Sequence, residues 1–494
     1  MTQKRVRVRA APSPTGFIHV GNLRTFIYDD FLAKQSGGDF VLRIEDTDQE
    51  RFVPGAIEKL ILTLKRMGIE PNEGVWLADD DKTIVQRGDH GPYIQSERKT
   101  RHQEVAKELL ARDKAYYCFC TEERLGEMRK LQEAAHQPTG YDGHCRRIDK
   151  IEAEKRVAAG EEHVIRLKMP EEGAAVVNDI IRGTVKFDWK LVDDQVIVKK
   201  DGMATYHLAA MVDDHDMEIT HILRGEEWLS SAPKHVFIFE AMGWEAPAFA
   251  HVPLILNPDR SKLSKRQGDV FAEQYLDKGY LPEALINFLA LLGYNPKDDQ
   301  EIYTREELTR LFDLSKVNKA GAIFNIEKLN WLNNHYLRQK SEADYLALVL
   351  PHLPAEETDA DLKRRVALLF RERLVLPSEI TALSTFIFLT HLDYSTASLT
   401  WKDRTKDEAI ERLKTAKAWI SELSDTDALD VSKVETTIKS KIVEKGWGNG
   451  DTLWPLRVSL SGLDKSPSPF ELIATYGKNR ALARIDDALA YLLK

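Results

Sequence analysis

Two stretches carry residue types suited to handling an anion. His19-Val-Gly-Asn22 sets a ring nitrogen and a residue without a side chain where Leu23, Ile27 and Phe31 begin to recur at helical spacing. A helix start offers N–H donors and the positive end of its dipole. His19 is therefore expected to donate to a phosphate, and Gly21 to let a flat base approach the backbone. The competing reading is a capping turn with an ordinary histidine. Some 240 residues later, Lys262-Leu-Ser-Lys265-Arg266 lies between Pro258 and Gly268. Mobile cations suit a reaction in which charge builds on a departing pyrophosphate. A solvated charged loop is the competing reading.

Three cysteines, Cys118, Cys120 and Cys145, are too few and too clustered for a disulfide framework, and their number is odd. Three thiolates near one another suggest a structural zinc site lacking a fourth ligand, against three reduced thiols with no metal.

The elements that must position these residues alternate. Residues 5–10 read as a strand and residues 23–36 as a helix ending at Gly37-Gly38. Residues 40–44 read as a second strand running into Glu45-Asp46-Thr47-Asp48. Pro54 opens a helix with Ile57, Leu60, Ile61 and Leu64 on one side, and Ser96 is expected to cap a helix reaching about residue 112. This rhythm suggests a parallel, doubly wound sheet. It breaks at residues 113–205, which hold short strands near 163–169 and 195–199 and an Asp201-Gly202 turn, and read as an insertion. A strand at 219–224, a helix at 231–242 and a strand at 250–256 resume the pattern. The first 330 residues hold 22 of the 27 glycines, and none occurs between Gly321 and Gly446. A mostly helical final third is expected from there.

The 494 residues are 43% hydrophobic and 30% charged, with a net charge of −9. Several soluble domains are expected. No apolar run is long enough for a bilayer and no signal peptide opens the chain, so a cytoplasmic protein without membrane contact is expected. The acidic total neither favours nor excludes nucleic acid, because binding depends on a local basic patch.

In order and spacing, the histidine and lysine stretches resemble the two signature motifs of the class I aminoacyl-tRNA synthetases. Asn22 and Arg266 depart from the general class I letters. Ala11-Pro-Ser-Pro-Thr-Gly16, Leu42-Arg-Ile-Glu-Asp-Thr-Asp48, Thr205-Tyr-His-Leu-Ala209, Val212-Asp-Asp-His215 and Leu223-Arg-Gly-Glu-Glu-Trp-Leu229 are similar to the bacterial-type glutamyl branch. The likeness covers roughly the first 330 residues with specific motifs and the remainder more weakly.

The resemblance implies an α/β plus all-α protein. Residues 1–112 and 206–260 would form a Rossmann-type catalytic domain, and 113–205 an inserted domain gripping the tRNA acceptor end. Residues 261–330 would hold the lysine loop and a stem-contact region, and 331–494 a helical anticodon-binding domain. It implies activation of L-glutamate by ATP with Mg²⁺, then transfer to the 2′-hydroxyl of the terminal adenosine of tRNA(Glu), by a monomer. A form that also charges tRNA(Gln) is the alternative within the branch. Arg9 matches the family position gripping the side-chain carboxylate, with Arg224 a second arginine; forked guanidinium donors suit carboxylates. Glu45 would take the ammonium group, and Tyr206, Ala11 and Ser13 would complete the pocket. Without the flanking motifs, Arg9 and Glu45 read equally as a structural ion pair. His19, Gly21, Lys262, Ser264 and Lys265 would bind ATP, with His19, Gly21, Lys262 and Lys265 acting in catalysis. For a zinc ion the fourth ligand implied is Tyr141, with His144 the alternative. Arg364 or Arg365 aligns with a family arginine that reads the anticodon. Trp401, Trp419 and Trp447 read as stacking platforms or as core.

A glutaminyl relative would carry a β-barrel anticodon part instead of a glycine-poor helical third. A short tRNA-modifying relative or a nucleotidylyltransferase would not need about 230 residues after the lysine loop. An inactive RNA-binding relative would not need to retain Arg9, His19, Glu45, Lys262 and Lys265.

Overall fold

A computed structural model describes residues 4–264, 269–296 and 299–494. Lys265 and Arg266 therefore lie outside the described residues. The chain divides into two units, Met1–Leu332 and Asn333–Lys494.

The first unit opens with β1 (Arg7–Ala10), α1 (Val20–Ser36), β2 (Asp39–Leu42), α2 (Ala56–Arg66), β3 (Glu73–Leu77) and β4 (Ile84–Arg87). These strands form a sheet in that order, the first three parallel and β4 antiparallel. All four residues of β1 and of β2 are buried, as in a parallel sheet covered on both faces. Arginines at positions 7 and 9 therefore need partners inside the protein.

The two early helices differ in character. α2 buries Ile57, Leu60, Ile61 and Leu64 along one stripe, as its spacing predicts. α1 is buried nearly all round, through Leu23, Phe26, Ile27 and Phe31 among others. Each such side chain contributes about 1.5–3 kcal/mol on leaving water. Tyr28 donates to the carbonyl of Ala290, and Arg24 to those of Leu292 and Pro253. Gly37 ends the helix in a left-handed conformation, φ 61°.

The helix expected from Ser96 starts later, as α3 (Lys99–Ala111), after a 3₁₀ turn over Gln95–Arg98. Ser96 does not cap it. Its N–H and hydroxyl both donate to the Asp46 carboxylate, at 2.7 and 2.6 Å, and it lies within that turn, two residues before the N-cap position Arg98.

Next come β5 (Ala115–Cys118), α4 (Glu122–Ala134), α5 (Lys150–Ala158), β6 (Val164–Leu167), β7 (Ala174–Asp179), β8 (Gly183–Asp188) and β9 (Val196–Val198). They are followed by α6 (Tyr206–Asp216), β10 (His221–Gly225), α7 (Ala232–Met242), β11 (Ala248–Val252) and β12 (Ile255–Leu256). β5, β6 and β9 form a separate antiparallel sheet. The β7–β8 hairpin instead extends a second sheet, ordered β10-β11-β7-β8. Ile180 N–H donates to the Phe249 carbonyl there, at 2.8 Å. The two larger sheets meet at Thr220, whose N–H donates to the Arg7 carbonyl at 2.9 Å. Arg9, Glu45 and Arg224 thus sit at or just past the carboxyl ends of parallel strands, the edge where such sheets bind ligands. The unit closes with α8 (Ala272–Lys278), α9 (Pro282–Leu291), α10 (Arg305–Leu311), β13 (Ala322–Ile323) and the start of α11 (Ile326–Gln339).

The second unit's described elements are all helical: α12 (Glu342–Val349), α13 (Ala360–Leu369), α14 (Ile380–Phe388), α15 (Thr396–Leu399), α16 (Lys406–Glu422), α17 (Val431–Glu444), α18 (Asn449–Ser461), α19 (Pro469–Tyr476) and α20 (Lys478–Leu493). Among the described residues, no helix is long and apolar enough to cross a membrane.

Candidate active site

A cavity of about 760 Å³ opens at the strand ends of the first unit. Its lining includes Arg9, Ala11, Ser13, Glu45, Tyr206 and Arg224, six residues drawn from four separate stretches of chain. β1 carries Arg9, the following loop carries Ala11 and Ser13, and Glu45 lies just beyond β2. The Glu45 N–H donates to the Pro12 carbonyl at 3.0 Å, joining these two loops.

The buried charges are held by neighbours. Arg9 Nε donates to Asp214 Oδ1 at 3.0 Å, and Nη1 to the Leu223 carbonyl at 3.2 Å. Arg43, fully buried, donates through Nη1 to the same Asp214 oxygen at 2.8 Å and through Nη2 to Glu45 Oε1 at 2.9 Å. One carboxylate thus serves two guanidinium groups, and Glu45 is tied to Arg9 through Arg43 and Asp214. Burial lifts the Glu45 carboxyl above its ordinary value, against the pull of Arg43 and Arg9. Arg9 Nη2 and the second Glu45 oxygen make no hydrogen bond to a described residue.

Arg224 is set differently. Nε donates to His251 Nε2 at 3.0 Å, and Nη1 to His235 Nδ1 at 2.9 Å and to the Tyr206 hydroxyl at 3.3 Å. Nη2 is buried without a protein partner. The Tyr206 ring packs 4.3 Å from that of Trp228. Burial pushes the Tyr206 phenol up, and pushes His207, His235 and His251 down, His207 to about 4.

At the start of α1, His19 is the N-cap and its Nδ1 accepts from the Gly21 N–H at 3.0 Å. The neutral ring therefore carries its proton on Nε2. A side chain at Gly21 would put its Cβ 3.2 Å from His19 Nδ1, pressing on the capping ring. The expected free N–H groups at this helix start are already taken. Val20 N–H donates to the Val270 carbonyl at 2.8 Å, Gly21 to His19, and Asn22 to the His19 carbonyl at 2.9 Å. The segment after the lysine loop pairs with this turn on its other side as well; Ala272 N–H donates to the Ile18 carbonyl at 2.9 Å.

The first part of the lysine stretch is fastened. Leu263 N–H donates to the Ile255 carbonyl at 3.0 Å, and Asn257 Nδ2 to the Lys262 carbonyl at 3.1 Å. Lys262 is exposed and Ser264 half-buried; neither lines the cavity.

The sulfur atoms of Cys118, Cys120 and Cys145 lie within 4.8 Å of one another. The Tyr141 hydroxyl is 3.4 Å from Cys118 Sγ and 3.5 Å from Cys120 Sγ, and accepts the Cys145 N–H at 2.9 Å. His144 is exposed on the turn beside them. Cys120 Sγ lies 3.5 Å from Cys145 Sγ, and within this cluster Cys145 brings the Cys118 thiol down to about 4 while Cys118 pushes the Cys145 thiol up. A tetrahedral zinc with bonds of about 2.3 Å needs sulfur atoms about 3.8 Å apart, a spacing this group fits.

In the second unit Arg364 is exposed and paired with Glu342, its Nε 2.7 Å from Oε1. Arg365 instead donates to the Thr475 carbonyl at 2.9 Å, turned against its own fold. Trp419 is buried and belongs to the core rather than to a stacking surface. The Arg412 guanidinium lies over the Trp447 ring at 3.5 Å, and Trp401 packs 4.8 Å from Trp454.

Arg43, Asp214, His235 and His251 were not singled out by spacing alone. Their signal was present: Asp213-Asp214 and His235 interrupt apolar helical runs, where a buried polar group demands a partner.

Residues 5–331 match the family model described as tRNA synthetases class I (E and Q), catalytic domain, and residues 344–489 match an anticodon binding domain. The chain is 42% identical over 489 residues to the glutamate–tRNA ligase of Clostridioides difficile, covering 97% of this chain and 98% of that one. It is 43% identical over 494 residues to that of Dehalococcoides mccartyi, covering 99% and 98%. A crystal structure of a glutamate tRNA ligase from Elizabethkingia meningosepticum in complex with its amino acid superposes with a TM-score of 0.88 at 36% identity, covering 99% of this chain and 100% of that one.

Proposed function

The chain belongs to the class I tRNA synthetases (E and Q), and from that premise we propose how its own residues join glutamate to tRNA. The activity is ATP-dependent ligation of L-glutamate to tRNA. The observation that carries the site assignment is the set of charged cavity-lining side chains that keep an unused hydrogen-bonding atom. Arg9 Nη2 and Arg224 Nη2 are two guanidinium donors, and Glu45 supplies one carboxylate oxygen. Glutamate offers two carboxylates and one ammonium, the complementary set. Arg9 and Arg224 take the carboxylates and Glu45 the ammonium, with Tyr206, Ala11 and Ser13 closing the pocket around the aliphatic stem.

The α-carboxylate attacks the α-phosphate of ATP; pyrophosphate leaves and glutamyl-adenylate forms. His19 donates from Nε2 to the phosphates, Gly21 leaves room for the base, and Lys262, Ser264 and Lys265 meet the departing pyrophosphate. Mg²⁺ arrives on the ATP phosphates as part of that substrate. The 2′-hydroxyl of the tRNA's terminal adenosine then attacks the adenylate and AMP leaves. Catalysis here is positioning and electrostatic stabilisation, with no side-chain nucleophile. The thiolates of Cys118, Cys120 and Cys145 with the Tyr141 oxygen would hold a zinc ion, which would supply structural cross-linking of the segment around β5. tRNA(Glu) is the acceptor, its anticodon met by the helical second unit.

The test is charging of purified tRNA(Glu) by the Glu45→Gln and Arg224→Leu variants. The KM for glutamate should rise at least about tenfold in each while the KM for ATP stays within about twofold. Unchanged KM for glutamate in both variants would place the amino acid elsewhere.

A further inference from the structure

Three histidines surround Arg224, and the direction of every hydrogen bond among them is fixed. A guanidinium has donors and no lone pair. His251 therefore accepts at Nε2, keeps its proton on Nδ1, and donates it to Asp179 Oδ2 at 2.6 Å. His235 accepts at Nδ1, keeps its proton on Nε2, and donates it to His207 Nδ1 at 3.0 Å. His207 in turn carries its proton on Nε2 and lines the cavity. His235 and His251 are both wholly buried.

The consequence is electrostatic. Arg9 and Arg43 each hydrogen-bond a carboxylate. Arg224 is held on two edges by imidazoles and on one by a phenol, all neutral acceptors, and its remaining buried nitrogen has no partner. A carboxylate in place of either imidazole would hold the arginine equally well and would cancel the charge that distinguishes a carboxylate ligand from a carboxamide.

We propose that His235, supported by His251, is a positioning residue that fixes Arg224 through neutral acceptors, so that the one cavity arginine without a direct carboxylate partner among the described residues selects an anionic amino-acid side chain. The proposal rests on the reading above that Arg224 contacts glutamate. His235 acts through Arg224 and does not touch the substrate.

The test uses the full chain, tRNA and steady-state charging, with glutamine as a competing ligand. His235→Asn keeps an acceptor oxygen where Nδ1 stood, His235→Leu removes it, and His235→Asp replaces it with a charge. The KM for glutamate should rise about tenfold to a hundredfold in His235→Leu, the worth of a hydrogen bond to a charged group, rise at least about tenfold in His235→Asp, whose carboxylate cancels the charge on Arg224, and stay within about threefold in His235→Asn. The KM for ATP should move in none of them. His235→Asp should also narrow the preference for glutamate over glutamine, read from glutamine's inhibition constant. Equal KM for glutamate in His235→Asn and His235→Leu would overturn the proposal, and this comparison stands even where the aspartate variant does not fold. Arg224→Leu separates the two failures. If it raises the KM while the His235 series does not, only the positioning role falls. If it leaves the KM unchanged, the contact between Arg224 and glutamate falls and the proposal with it.

Discussion

Asp214 is the most exacting residue on which to test this account of the cavity. One of its oxygens accepts from Arg9 Nε at 3.0 Å and from Arg43 Nη1 at 2.8 Å, and none of these side chains is more than 4% exposed. Asp214→Asn keeps the shape and one acceptor oxygen but removes the charge that both arginines share. Two charge-assisted hydrogen bonds then weaken together, and Arg9 loses its only carboxylate partner among the described residues. Breaking a buried pair in this way costs about 3–5 kcal/mol. A domain with a stability of about 5–15 kcal/mol survives that loss, so the variant should be isolable. Because the chain has two units, a single melting curve mixes their transitions. Amide exchange resolves them. Peptides from β1, β2 and α6 should exchange about two to nearly four orders of magnitude faster, while peptides from the second unit are unaffected. A cycle with Arg43→Gln should show coupling of about 0.5–3 kcal/mol. Exchange within threefold of the parent, or full additivity with Arg43→Gln, would refute the shared counter-charge.

Lys265→Ala should slow pyrophosphate exchange, measured with tRNA present, by at least about a hundredfold while the KM for glutamate stays within twofold; exchange at the parental rate removes Lys265 from the ATP step. Purified protein should hold about one equivalent of zinc, lost in Cys145→Ser, and less than about a tenth of an equivalent in the parent ends the metal assignment. Acid should weaken the first unit. His207, His235 and His251 are pushed below the ordinary 6.5, so the unfolded chain binds protons before the folded one does. Stability is then fully present above pH 6.5 and lost toward pH 4, with His207 responsible for at most about 3 kcal/mol. His207→Gln should flatten the dependence of the urea midpoint on pH across that window; an unchanged slope counts against buried neutral histidines.

Local chemistry was legible where neighbouring residues decide it. The strand, turn and helix from Arg7 to Ser36 follow from apolar spacing, and so does the stripe of α2. Long-range contacts were not. Ser96 has every property of a cap, yet its hydroxyl is turned to Asp46, 50 residues away, and a 3₁₀ turn carries the chain past it before the helix begins. The first N–H groups of α1 read as open until the segment after the lysine loop supplies Val270. The cavity residues came from resemblance and motif, whereas the Arg43–Asp214 tie joins the residue just past β2 to a helix 171 residues later through contacts no periodicity encodes.

The burial of α1 bears on the order in which the chain can be made. This helix is complete by Ser36, yet Pro253, Ala290 and Leu292 accept its side-chain hydrogen bonds, and Phe312 packs against Tyr28 and Phe31. At about 5–20 residues per second, a ribosome takes about 13–50 s to travel from residue 36 to residue 292. Throughout that interval a helix that the finished fold buries on nearly every side, Leu23, Phe26, Ile27 and Phe31 among its residues, waits without its cover. Stalled chains ending near residue 250 should be cut by protease within α1, and chains extended past residue 312 should resist. The oldest segment of the nascent protein is thus among the last to be sheltered, and its early exposure is a demand this fold places on the cell's folding helpers.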